Sequence, residues 1–271
     1  PEVFRPGGDH IRGQVRLLAL AALVGVVAGI GGVLFYVATR AAEHYALGVL
    51  AGYVAEPHPG GEPTLAWLPA ITRPLNPWLL LLIPTVGGLA SGIIVFTFAP
   101  EAEGHGTDAV ISAYHHKQGQ IRPRVPLVKI VSSAITLGTG GSGGREGPIA
   151  QIGAGVGSSI AQLLKLNESK TITLLGCGAA AGISATFNAP IAGVIFVTEV
   201  IMRKSGMREF SSVVVASVSA SVISRSMLGD NPAFHINLPV FNMRSNWELS
   251  LFLMLGIVSA VVGVIFIKTL L

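Results

Sequence analysis

Charge is what this sequence has least of. Asp, Glu, Lys and Arg make up 12% of its 271 residues, against about 25% in a typical soluble domain. A water-soluble fold of this size could not clothe its surface with so few charges. Cysteine is nearly absent too. The single Cys177 excludes an internal disulfide, and its small apolar neighbours suit packing better than an activated thiol. Aromatic residues are 7%, and none interleaves with a basic cluster, so the net charge of +4 does not point to nucleic acid. Basic loops at one membrane face account for that excess. No Ser/His/Asp spacing, paired carboxylates or metal-ligand cluster stands out, so neither an enzyme nor a bound metal or cofactor is expected. No repeat of 20–50 residues is evident, which sets solenoids aside.

Apolar residues are what remains, at 51%, and the mean hydropathy is +0.65. The runs 17–38, 79–99 and 249–267 carry no charge, and 211–228 carries only Arg225 near its end, at lengths near the roughly 20 residues that cross a bilayer core. The expectation is an all-α, multi-pass protein of the cell membrane, with the lipid bilayer as its solvent. Arg5, Arg12 and Arg16 precede the first run, which exceeds the 7–15 apolar residues of a signal peptide. Lys117, Arg122, Arg124 and Lys129 follow the second run, and Arg203, Lys204 and Arg208 precede the third. The intervening loops, 39–78 and 225–248, are nearly charge-balanced, which places the amino terminus in the cytoplasm. The chain opens on Pro1, so a trimmed beginning is expected. Between the long runs lie shorter ones, 125–137, 148–166, 171–187 and 190–202, separated by glycine or Asn-Ala-Pro breaks. Non-helical backbone at membrane depth survives only where protein buries it or water lines it, and transporters use such half-helices at ion sites.

The stretch 138–148 is the most unusual. Gly138, Gly140 and Gly143 match the dinucleotide pattern G-x-G-x-x-G. That motif needs an acid about 20 residues on, where this chain has Ser158, Ser159, Ala161 and Gln162. A membrane reading uses more of the residues. Pro148 suits a first helical turn, and Gly143, Gly144 and Gly147 leave backbone N–H groups uncovered. A helix start carries about half a positive charge, and Arg145 adds a full one. Into that setting the sequence places one carboxylate, Glu146. An ionisable group at membrane depth is a functional candidate. Glu146 can take the place of an anion, and leave by swinging away or by taking up a proton. The plainer alternative is that it pairs with Arg145 or caps the helix; both readings stand open here. Two more breaks share the logic. Asn188 is a candidate cap ahead of Pro190, and Thr107 or Asp108 is a candidate cap for a helix over 109–114. Stripping water from an ion costs tens of kcal/mol, whereas one helix end contributes at most about 2 kcal/mol. Several starts must therefore converge.

Gly144-Arg145-Glu146-Gly147-Pro148 resembles the GREGP signature of the CLC family of chloride channels and chloride/proton antiporters. Pro126-Leu127-Val128-Lys129, Gln151-Ile152-Gly153, Gly178-Ala179-Ala180-Ala181-Gly182 and Phe187-Asn188-Ala189-Pro190-Ile191-Ala192-Gly193 are similar in the same order. The resemblance implies a fold of tilted, broken helices built from two inverted repeats. Residues 1–271 would form one transmembrane domain, with repeat one at about 16–228 and the start of repeat two at about 247–271. It implies that Glu146 is the gate, that backbone at Gly106, Gly147 and Ile149 borders the anion, and that Lys129 and Arg145 supply positive field. It also implies chloride as the transported ligand and a homodimer with part of its contact in 190–228.

Three departures matter. His105 stands where the family's serine touches the central anion; an imidazole N–H could donate there, or turn away and leave backbone alone. His115 and His116 read as loop residues that cannot face one ligand together. Val200 occupies the position of the antiporters' inner glutamate, with Glu199 beside it as a candidate for a proton path or as a partner of Arg203. The expectation from Val200 is a passive, voltage-gated-type chloride channel. The alternatives are chloride/proton exchange and a non-transporting membrane scaffold. Finally, the family's second half supplies a further helix start and a tyrosine hydroxyl; Tyr36, Tyr45, Tyr53 and Tyr114 are not placed to substitute. The chain is expected to be a piece that does not complete a pore alone.

Overall fold

In lipid, backbone N–H and C=O groups have no water to bond, so an apolar chain satisfies them within helices. The computed structural model describes residues 7–54, 65, 67–203, 207–229 and 245–270, with side chains omitted at 7–11, 207 and 208. Arg5, Lys204 and residues 57–63 of the expected outer loop lie outside the described residues. Those described form helices and turns, with no strand among them.

The helices are α1 (Gly7–Glu43), α2 (Pro77–Phe98), α3 (Thr107–His116), α4 (Arg124–Gly138), α5 (Glu146–Leu163), α6 (Glu168–Phe187), α7 (Pro190–Phe196), α8 (Met207–Leu228) and α9 (Glu248–Leu270). A π-helical turn, His44–Leu50, continues α1, and another, Val197–Met202, continues α7. Among the described residues, four segments are long and apolar enough to cross a membrane: Arg12–Leu50, Pro77–Phe98, Glu209–Leu228 and Glu248–Leu270. They coincide with the four long apolar runs. The first is longer than its run because the π-turn carries the helix past the polar residues at 40–45.

Local chemistry sets most helix ends. Asn76 accepts the Trp78 N–H at 3.1 Å, and Pro77 opens α2 with its φ already helical. Asn167 accepts the Lys170 N–H at the start of α6. Three expectations need correcting. Thr107 and Asp108 lie inside α3, whose cap is Gly106, without a side-chain hydrogen bond. Asn188 does not cap α7, which starts from Ala189; it closes α6 in the left-handed region, φ 51°. Its Oδ1 accepts from Arg225 Nε, and an amide tolerates that backbone better than most side chains. His115 and His116 form the last turn of α3.

The chain divides into two units, Pro1–Ala233 and Phe234–Leu271. In the first, α5 and α6 lie back to back and antiparallel. A β-carbon on Gly178 would strike the carbonyl of Gly153, and one on Gly153 the carbonyl of Gly178, so the two backbones touch. Small residues permit this approach, and van der Waals packing replaces the hydrophobic drive that lipid removes. Leu174, Leu175, Cys177 and Ala179 to Ala181 are fully buried in α6. Serines join α6, α7 and α8: Ser217 Oγ donates to Pro190 O at 2.7 Å and Ser224 Oγ to Ala185 O at 2.6 Å. Such interhelical bonds average about 0.6 kcal/mol in a bilayer protein. In the second unit, α9 is apolar along its length and has no buried residue.

Candidate functional site

Two helix starts meet in the first unit. The segment leading into α3 is tied down from both sides. Lys129 on α4 is 2% exposed, and its Nζ donates to Ala102 O at 2.8 Å and Gly104 O at 2.7 Å. Gln151 on α5 donates its Nε2–H to Glu101 O at 2.8 Å. Held this way, Gly106 turns at φ 109°, a conformation open to glycine and strained for other residues. A β-carbon there would sit 2.8 Å from Gly147 O and 3.0 Å from Gln151 Oε1. On the other side, a β-carbon on Gly147 would collide with the carbonyl and imidazole of His105. The starts of α3 and α5 are therefore in backbone contact, with His105 laid against the junction.

The first helical bonds are Val110 N–H to Gly106 O and Ile149 N–H to Arg145 O. The N–H groups ahead of them, on Thr107 and Asp108 in α3 and on Glu146 and Gly147 in α5, point out of the helix ends. Ile149 donates its N–H to Arg145 O at 3.0 Å, and its side chain is fully buried. His105 is exposed, and its Nδ1 lies 3.1 Å from Thr107 Oγ1.

Glu146 is exposed at the first position of α5. Its carboxylate folds back over Gly144, where a β-carbon would collide with Oε2. Among the described residues no ion pair joins Glu146 to Arg145, and the Arg145 side chain does not cap α5. Arg145 is half-buried at the cap position. The structure thus gathers His105, Gly106, Gly147 and the approach of Glu146, with Lys129 one layer behind.

Other expected residues lie elsewhere. Pro190 starts α7, which packs on α6 and α8, with Gly193 against Ala180 O. Of the three helix starts read from the sequence, two are in mutual contact. Glu199 is exposed in the Val197–Met202 turn and makes no ion pair with Arg203. Arg203 leaves that turn at φ 55°, which takes it off the helical register an i,i+4 pair requires. His115 reaches the same turn, its Nε2 2.8 Å from Ile201 O. A carbonyl only accepts, so Nε2 carries the proton.

Sequence reasoning named Gln151 as part of a motif without seeing its work. Its spacing gave the signal: four residues past Gly147, it repeats that face of α5 one turn deeper. Glu101 was missed as well. Its carboxylate accepts a hydrogen bond from Arg122, which holds it below the usual carboxylate range against a smaller opposing effect of burial. A cavity of about 470 Å³ opens here, walled by Ala109, Ala113 and His116 of α3, by Gln151, and by Arg122. Among the described residues no three His, Cys, Asp or Glu side chains gather to hold a metal.

A family model described as voltage gated chloride channel matches residues 87–271. Chloride channel protein CLC-e of Arabidopsis thaliana is 33% identical over 95% of this chain and 35% of its own length. The H(+)/Cl(-) exchange transporter ClcA of Vibrio vulnificus is 33% identical over 96% of this chain and 52% of its own. Among solved structures, a slow cyanobacterial Cl-/H+ antiporter superimposes with a TM-score of 0.72 at 26% identity, covering 92% of this chain and 55% of that one. The chain spans from about a third to about half the length of the curated relatives it matches.

Proposed function

The chain belongs to the voltage-gated chloride channel (CLC) family of integral membrane anion transporters, and from that membership we propose that it carries the gate half of a chloride/proton exchanger. The observation that carries this reading is the carboxylate of Glu146, held neither by Arg145 nor as a cap, beside the contact between Gly106 and Gly147. A dehydrated chloride at that contact takes the N–H groups of Thr107 and Asp108 from one helix and of Glu146 and Gly147 from the other. His105 adds a ring donor at the rim. Arg145 and Lys129 set a positive field, and Ile149 gives the apolar wall. The Glu146 carboxylate competes for the same donors. Protonated, it loses that competition and the anion enters; deprotonated, it returns. One proton thus accompanies each exchange of carboxylate for anion.

The exchanger named among the relatives and the antiporter among the solved structures support coupling to protons. Val200 favours the other reading, a passive chloride channel, because it leaves the neighbouring turn without a second carboxylate at that position. In this reading the protein is a homodimer of the plasma membrane, with residues 190–228 in the contact and the amino terminus in the cytoplasm.

The test is reconstitution of the full-length protein in liposomes under an outward chloride gradient, with chloride and pH recorded together. Protons driven uphill by chloride support exchange. Chloride flux with no proton movement would establish the channel instead. Glu146→Ala should abolish proton movement and make chloride flux independent of pH. If neither form carries an anion, the transport assignment fails and a scaffold remains.

A further inference from the structure

Exchange requires protons to reach Glu146 from the side of the membrane opposite its own opening. Such a path needs a group that takes and gives protons at neutral pH, then polar contacts or water up to the anion site. The cavity of about 470 Å³ supplies this geometry. Ala109, Ala113 and His116 succeed one another along a single face of α3, so the space follows that helix from near its start to its last turn. Gln151 also lines it, and Gln151 Oε1 is against Gly106 at the anion junction. Gln151 is 1% exposed, and its Oε1 has no hydrogen-bond partner. A buried amide oxygen without a donor marks the place of a water. Being an acceptor, it repels an anion and welcomes an O–H, so it suits a proton wire and not a chloride path.

We infer that this cavity is the proton branch of the transporter, with His116 exchanging protons at its mouth and Gln151 anchoring the water that meets the anion junction. The inference rests on the exchange reading. Polar walls and room for on the order of ten waters make the space wet. The charged and titratable groups facing His116 are Glu101, Lys117 and Arg122 across the cavity, and His115 beside it at 6.4 Å between ring centres. Arg122 is engaged with Glu101, whose carboxylate that contact keeps ionised. Guanidinium does not release its proton. His115 turns to the other side of α3, toward Ile201. Imidazole is the side chain suited to shuttle protons near neutrality, and His116 is the one that lines the cavity. The cycle balances: the ring accepts a proton from bulk water, passes it to the wire, and returns neutral while Glu146 is protonated.

The experiment measures the ratio of protons to chlorides moved by the purified protein in liposomes. His116→Ala should lower that ratio at least tenfold while chloride flux stays measurable, and His116→Glu should restore it. Gln151→Leu should lower the ratio, with size-exclusion behaviour reporting that the protein is folded. An unchanged ratio in His116→Ala overturns the inference while leaving exchange intact. So does loss of coupling in Glu199→Gln with none in His116→Ala. If the unmodified protein moves no protons, the exchange reading itself falls and this inference with it.

Discussion

Lys129 joins two helices through one ammonium group, and its removal would leave the carbonyls of Ala102 and Gly104 without a donor. Hydrogen bonds to a charged group contribute about 1.5–3 kcal/mol each. Lys129→Met should therefore lower the thermal midpoint by several degrees and weaken chloride binding, read by unfolding scans with and without chloride. Glu101 offers a pH test. Its carboxyl is held below its ordinary range by Arg122, so its contribution is complete above the unfolded value and is lost as pH falls through the folded one. The pair is largely exposed, so the effect is under about 1 kcal/mol. Glu101→Gln should flatten that acid-side slope of stability and lower the neutral plateau by that same small amount, read by unfolding at a series of pH values. At this scale the sequence drew attention to Glu146 as a lone carboxylate in a glycine-rich break, whereas His105 and Lys129 stand out only through the family resemblance. The sequence could not disclose the bond from Gln151 to Glu101, 50 residues away, nor the role of Asn188, since a helix-closing and a helix-opening amide look alike in one dimension.

At the scale of elements, α5 and α6 succeed through what they omit. With their backbones touching at Gly153 and Gly178, any added side chain must push the helices apart. Overpacking a tight interior costs about 1–3 kcal/mol, and more where backbone must move. Gly178→Val should give protein that no longer elutes as a single species in detergent. Gly256→Val, in α9 where nothing lies within 4 Å of an added β-carbon, should elute normally. The long spans were readable because an uncharged run of about 20 residues admits few other interpretations. The short interior helices were located but misjudged in detail. Their ends depend on tertiary ties such as Lys129 to Gly104, and a π-turn after α7 leaves no mark in residue type. Convergence of helix starts was beyond the sequence altogether: α3 and α5 meet, while α7 turns to α6 and α8.

For the whole molecule, the outward faces decide assembly. Ile191 and Ile195 on α7 and Val218 and Val222 on α8 are exposed large apolar residues of the 190–228 region. Cys177, the one cysteine of this sequence, is fully buried, so cysteines introduced at exposed positions will react ahead of it. Ile191→Cys or Ile195→Cys should form an oxidant-induced dimer in membranes if this region joins two copies. Monomer at every oxidant level would assign those residues to lipid.

One feature has kinetic weight. The Glu146 side chain rests over Gly144, which presents no side chain to obstruct it. A single rotation of an exposed side chain takes picoseconds to nanoseconds, whereas displacing a packed helix takes microseconds or more. In the proposed exchange cycle, a latch this light imposes no delay of its own. Turnover will then follow how fast ions and protons are delivered, and raising buffer concentration should speed it where delivery is slowest.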